Sequence, residues 1–353
     1  MKTEHILIIR FSSLGDIAML VPVVHSLAQQ YPHLRITVLS RSNARALFDK
    51  LAPNVGFMDA EIDKAHKGLP GLNALYRRLK AKHFTAIADM HDVLRSKYLR
   101  MRFHIDRFKT AHIDKHKAGK RHLTAKSNKK MVQQPTSFQN YADVLAKLGY
   151  PIHLEFLSVF PNKGNLRVLS KKEFTEKKIF QQWIGIAPFA AHPGKIYPPA
   201  KMEKVIDLLS SRHPSARIIL FGAGEQERRY FSEWCTRFSR CVKAADIANG
   251  LSQELILMSH MDVMVSMDSA NSHLASLVNI PVVSIWGATH PKAGFMGWRQ
   301  TEETAVQLNI PCRPCSVFGD KPCYRGDMAC MNGVMPEKVV ETVELVLDGR
   351  IKR

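Results

Sequence analysis

The chain has 353 residues, 45% hydrophobic and 23% charged, and Lys plus Arg outnumber Asp plus Glu by 51 to 31, a formal net charge of +20. That length suggests two domains, each able to bury its own core, and the composition excludes intrinsic disorder, collagen-like repeats and a disulfide-dense mini-protein. No run reaches the roughly 18 apolar residues of a membrane-spanning helix.

Met1-Lys2-Thr3-Glu4-His5 leads straight into a strand pattern with no signal peptide, so a cytoplasmic location is expected. Apolar runs predict strands at 5–10, 35–40 and 84–89, with helical periodicity at 17–30 and 42–51. Pro22 should kink the first helix or mark its true start. A turn-rich stretch at 160–165 marks the join. The second half repeats the scheme. Strands are expected at 183–188, 217–222, 262–267 and 281–287, and helices at 200–211, 225–238, 253–259, 269–278 and 336–347. Strands alternating with helices of this length predict βαβ units, and hence an α/β chain of two doubly wound domains facing each other across a cleft.

Ligands of such sheets bind beyond the carboxyl ends of the strands, which directs attention to four loops. After the first strand comes 11–16, where Gly15 suits a tight turn and Asp16 either faces a ligand or caps the next helix. Lys195 lies in a Gly/Pro loop after the strand at 183, as a phosphate partner or a solvated cation. Gly222-Ala223-Gly224-Glu225 follows the strand at 217. It matches neither a dinucleotide fingerprint nor a P-loop, and Glu225 could bond a sugar hydroxyl or sit in a first helical turn. Asp268-Ser269-Ala270-Asn271-Ser272-His273 joins a strand to a helix whose first amides could receive a pyrophosphate.

Two features stand apart from these loops. From Arg95 to Lys130 there are 13 Lys/Arg against Asp106 and Asp114, which reads as a solvated face or a landing surface for an anionic acceptor or membrane; a nucleic-acid site comes third, because aromatics are few and no binding signature is present. Cys312, Cys315, Cys323 and Cys330 are spaced C-x2-C-x7-C-x6-C, which leaves a structural zinc and plain thiols both open.

The chain resembles the ADP-heptose:lipopolysaccharide heptosyltransferase family, glycosyltransferase family 9. The resemblance rests on Arg10 to Asp16 with Pro22, Lys195 before Tyr197-Pro198, Gly222 to Glu225, Asp268 to Leu274, Trp286-Gly287-Ala288-Thr289-His290-Pro291 and the cysteine cluster. It departs where the family usually reads Asp-Thr-Gly and Thr-Asp-Pro; here stand Asp268-Ser269-Ala270 and Thr289-His290-Pro291. The resemblance implies a GT-B fold: an acceptor-binding Rossmann-like domain over 1–164, a nucleotide-sugar domain over 165–335, and a last helix within 336–353 crossing back to the first domain. It implies inverting transfer of heptose from ADP-heptose to an anionic, lipid-linked inner-core acceptor, with no cofactor or essential metal, no nucleic-acid partner, and peripheral association with the inner membrane. Asp16 would be the base and Lys195 the cation at the leaving group. Glu225 and Asp268 would contact the nucleoside and sugar hydroxyls, and Ser269, Ala270, Asn271, Ser272 and His273 the phosphates. Ser12, Ser13, Gly15, Arg95 and Arg100 would meet the acceptor. Competing readings are a GT-B transferase of another nucleotide-sugar, a non-catalytic nucleotide or nucleic-acid binder, and a metal-dependent hydrolase.

Overall fold

Strand and helix alternate along the whole chain in the computed structural model, which describes residues 4–351; Met1–Thr3 and Lys352–Arg353 lie outside the described residues. There are two compact units: Met1–Lys115 with Pro135–Val159, and His116–Gln134 with Phe160–Arg353. The expected boundary at 164 is therefore corrected in two ways. The join falls slightly earlier, and the basic stretch 116–134 folds with the second unit.

In the first unit, β1 (His5–Ile9), β2 (Arg35–Ser40), β3 (Val55–Asp59), β4 (Ala86–Asp89) and β5 (Lys109–His112) form one parallel sheet in the order β3-β2-β1-β4-β5. The helices are α1 (Leu14–Gln30), α2 (Gly68–Lys80) and α3 (Leu94–Ile105), while α4 (Lys117–Leu123) lies in the inserted stretch and α5 (Ser137–Lys147) returns to the first unit. Successive strand residues face opposite ways, and here both faces are covered. Leu7, Ile9 and Ile87 pack with Leu75 and Leu79 of α2 and Leu99 and Phe103 of α3, while α1 packs beside α5. Helix α1 starts at Leu14 and runs through Pro22, so of the two expectations for that proline, a kink or the helix start, the start does not hold. Pro22 lies buried inside it, and its carbonyl receives the Ser26 hydroxyl at 2.7 Å. The segment from Ser42 is a 3-10 turn ending at Leu47 rather than a full helix.

The second unit holds β6 (Trp183–Ala187), β7 (Arg217–Leu220), β8 (Cys241–Lys243), β9 (Val263–Met267), β10 (Val282–Trp286) and β11 (Ala305–Gln307), parallel in the order β11-β10-β9-β6-β7-β8. Its helices are α6 (Pro199–Arg212), α7 (Glu225–Arg237), α8 (Gly250–Met258), α9 (Ala270–Leu277), α10 (Ala329–Asn332) and α11 (Pro336–Leu347). Ile184, Ile186, Val263, Val265, Val283 and Ile285 meet Met202, Val205, Ile206 and Leu209 of α6 and Val339, Val340 and Val343 of α11. The apolar stripe of the last helix is buried in the core of the second sheet, because the valines at 339, 340 and 343 line one helical face.

Truncating Val340 should therefore lower the stability of the second unit. Val340→Ala removes two buried carbons and leaves a void, a loss of about 2 kcal/mol, read as a lower urea midpoint of tryptophan fluorescence. An unchanged midpoint would contradict this placement of α11.

Candidate active site

Each sheet has one place where the strand order reverses. In the first it lies between β1 and β4, in the second between β6 and β9. Loops leaving two such neighbouring strands diverge to opposite faces and open a crevice at the carboxyl ends.

The first reversal point is built around Arg10, which follows β1 directly and is 8% exposed. Its guanidinium donates to the Met90 carbonyl beyond β4, lies 5.5 Å from the centre of the Tyr141 ring and pairs with Asp16 Oδ2 at 2.8 Å. Burial works against the charge of Arg10, but Asp16, Tyr141 and Asp89 outweigh it and hold its pKa above the ordinary value. Helix α1 is capped in the S-x-x-D manner, with Ser13 as N-cap and Asp16 as the acidic third residue of its first turn. The same Oδ2 accepts from the Ser13 hydroxyl at 2.8 Å and the Ser13 amide at 3.3 Å. Asp16 thus serves the helix and remains 28% exposed; the capping and functional readings are compatible. Gly15 lies inside α1, buried and without a positive φ, so the turn is made by residues 11–13 and not by this glycine.

Beyond β4 stands His91, which sequence reasoning missed. Its Nδ1 accepts the Phe11 amide at 3.4 Å, and its Nε2 lies 3.5 Å from Ser12 Oγ. Burial first, then Arg10 and Lys115, push its pKa down to about 3. The ring is therefore neutral, and with Nδ1 accepting, its proton sits on Nε2 toward Ser12. Asp89, fully buried, accepts from the amides of His91 and Asp92 and pairs with Arg100 at 3.0 Å; Arg100 also reaches Asp92 at 3.1 Å. Burial opposes ionisation of Asp92, but Arg100 and Lys97 outweigh it and depress its pKa. Arg100 is thus committed to two carboxylates of its own unit, and Arg95 pairs with Asp63 at 3.3 Å on the surface.

At the second reversal point Lys195, ending a 3-10 turn after β6, pairs with Asp268, directly after β9, at 2.8 Å; the two are 14% and 4% exposed. Two glycines make this approach possible. Gly194 donates to the Gly319 carbonyl at 3.1 Å and accepts from the Ala288 amide at 2.9 Å, and a Cβ there would stand 2.7 Å from the Gly319 oxygen. Gly319 has φ +75°, and a Cβ there would stand 2.6 Å from Cγ of Lys195. Next to Asp268, Ser269 caps α9, and its hydroxyl lies 3.3 Å from that of Ser266. Ala270 and Asn271 occupy the first turn, Ser272 donates to the Ser269 carbonyl at 2.7 Å, and His273 is buried. Thr289, after β10, is fully buried, and its hydroxyl has no hydrogen-bond partner among the described residues.

Arg313, also missed, clamps this loop from beneath. It donates to the carbonyls of Gly287 at 2.8 Å and Thr289 at 3.0 Å, and burial pulls its pKa down to about 10. Glu225 begins α7 and is exposed, whereas Glu227 closes the glycine loop by accepting from the Gly224 amide at 2.9 Å.

The cysteine stretch does not form a metal-ligand group among the described residues. Cys330 is buried in the core of the second unit. Cys312 and Cys315 line a pocket of about 310 Å³ with Lys126, Lys321 and Tyr324. Part of the basic run is folded over this stretch: Lys129 donates to the carbonyls of Cys312 and Pro314 at 3.0 and 2.9 Å, and Lys126 lies over the Tyr324 ring.

The model of Glycosyltransferase family 9 (heptosyltransferase) matches residues 72–322. A Lipooligosaccharide heptosyltransferase 2 of Campylobacter jejuni is 24% identical over 197 residues, 53% of this chain; the chain spans 60% of the length of that relative. Among solved structures, the glycosyl transferase family 9 protein of Veillonella parvula superposes with TM-score 0.72 at 15% identity, covering 99% of this chain and 98% of its own. E. coli heptosyltransferase WaaC with ADP gives 0.67 at 15% identity, covering 97% and 99%. The fold is accordingly GT-B, with two Rossmann-like α/β units.

The neutral His91 carries a pH signature. Unfolded, it takes up a proton near its ordinary pKa of ~6.5, which the folded protein refuses until about 3. The stability it contributes is complete above ~6.5 and declines as pH falls through that window. Relative to pH 8, His91→Gln should therefore lose about 2 kcal/mol less than the parent at pH 5, measured by urea denaturation. Parallel losses in both proteins would contradict a neutral buried His91.

Proposed function

The chain belongs to glycosyltransferase family 9, and from that premise we propose that it transfers heptose from ADP-heptose to an anionic, lipid-linked inner-core saccharide of lipopolysaccharide, with inversion. The observation that carries this reading is the placement of complementary chemistry at the two reversal points. An accessible carboxylate held by Arg10 and Ser13 stands at one, and a cation beside the start of a helix stands at the other.

The chemistry is a single displacement. The acceptor hydroxyl oxygen attacks the anomeric carbon, the bond from that carbon to the β-phosphate oxygen breaks, and ADP departs with the electron pair. Asp16 takes the hydroxyl proton; its orientation is set before substrate arrives, because Oδ2 is already fixed by three donors from Arg10 and Ser13. Negative charge develops on the departing pyrophosphate. Lys195 and the amides at the start of α9 supply the compensating positive potential, in a site where little reorganisation is required. Without donor, Asp268 holds Lys195 in place; with donor, the phosphates compete for the same ammonium. Asp268 and Glu225 are the side chains available for sugar and nucleoside hydroxyls, and Ser12, Ser13 and Arg95 for the acceptor. Arg100 acts through Asp89 and Asp92 as a positioning residue. No cofactor or nucleic acid enters this reading, and the enzyme would work at the cytoplasmic face of the inner membrane, where an anionic lipid-linked acceptor is presented.

Asp16→Asn keeps an acceptor oxygen for Arg10 and Ser13 while removing the base. Turnover should fall by at least ~100-fold with little change in thermal midpoint; turnover near that of the parent would remove Asp16 from this role. Lys195→Met should lower kcat/KM for the donor by about 100-fold, with partial recovery in Lys195→Arg. Equal donor use in all three proteins would refute the leaving-group role.

A further inference from the structure

Helix α3 is apolar on two opposite faces. Leu99 and Phe103 point inward and are fully buried. Leu94, Met101 and Ile105, spaced by seven and four residues, fall on one stripe of the opposite face, and they are 87%, 50% and 65% exposed. Beside it runs α2. The Asn73 side chain meets Tyr98 and Arg102, and Lys80 meets Asp106, so the two helices lie alongside with their starts at the same end. That end carries Leu69 of α2, 62% exposed, and Leu94 of α3. Together α2 and α3 contain seven Lys/Arg and no Asp or Glu. Acidic residues from the flanking loops, Asp63, Asp92 and Asp106, engage Arg95, Lys97 and Lys80, and leave the two-helix surface with net positive charge.

An apolar stripe flanked by cations matches a surface that is hydrocarbon within and anionic at its rim. We propose that the outer face of α2 and α3 docks on an anionic lipid bilayer, with Leu94, Met101 and Ile105 entering the headgroup layer. This rests on the membrane-bound acceptor of the preceding reading and narrows it. The docking surface is these two helices rather than the stretch 116–134, whose Lys120, Lys126 and Lys129 are engaged by Phe295, Tyr324 and the cysteine loop. The placement has a mechanistic consequence. Helix α3 begins three residues after His91, at the strand end that also holds Asp16, so inserting its first residue brings the candidate base toward lipid-borne substrate.

The test is co-sedimentation with phosphatidylcholine vesicles, with and without phosphatidylglycerol, across a salt series, using the full chain and the variant Leu94→Ser/Met101→Ser/Ile105→Ser. The parent should bind only the phosphatidylglycerol vesicles and release as salt rises. The variant should bind about ten-fold more weakly or worse, with the same thermal midpoint and the same transfer rate on an acceptor lacking its lipid. If the parent binds and the variant binds equally, this stripe is not the inserting element, while electrostatic docking survives. If the parent binds neither vesicle, the stripe and the membrane reading fall together. A concentration-dependent dimer in sedimentation velocity that the triple variant abolishes, with vesicle binding unaltered, assigns the face to a second copy and overturns the proposal.

Discussion

A parallel sheet whose strand order reverses cannot close over its own carboxyl edge at the point of reversal, because the two connections leave toward opposite faces. That constraint occurs twice in this protein, once in each sheet. In the first sheet the reversal lies between β1 and β4, and the residues just past those strands are Arg10, Asp16, Asp89 and His91. In the second it lies between β6 and β9, and the residues are Lys195 and Asp268.

Charges at such positions are costly to hold unless paired, and here they are paired in a manner that also fixes them. Arg10 ties the end of β1 to the first turn of α1, to the loop after β4 and to the Tyr141 ring on α5. Asp89, without exposure, binds two loop amides and Arg100. The two glycines around Lys195 let three loops approach closely enough for its stem to lie over Gly319. His91 and His290 are held neutral, the latter with a pKa near 4 through burial and the proximity of Arg313 and Lys292. Each reversal point by itself thus has its charged groups held in advance by neighbours of its own unit.

How much of this could be read from residues alone follows from burial. The central strands are legible because both of their faces are covered and their apolar runs are continuous, as at 6–9 and 183–187. Strands β3 and β5 were not, since they are edge strands with mixed patterns: Val55–Asp59 carries Gly56, and Lys109–His112 sits inside the basic run. The reversal points could not be located before strand order was known, although each post-strand loop could. Arg10 and Lys195 stood in loops singled out by that rule, while His91 follows an equally clear strand and was passed over. Asp-Met-His-Asp after an apolar run is the same signal as the one at Asp16. Nothing local marks Arg313, which bonds carbonyls of a loop more than twenty residues before it as well as Leu308 and Gln307. The basic run looked uniform in sequence, yet its two halves belong to different units and do different work.

The proposed reaction is a single displacement assisted by one carboxylate. It is tested most directly by supplying ADP-heptose of defined anomeric configuration with a heptose-deficient lipopolysaccharide core and determining the configuration of the new linkage by NMR. Transfer with the opposite configuration at the anomeric carbon is expected. A product that keeps the configuration of the donor would require a second nucleophile that Asp16 alone cannot provide, and would contradict it.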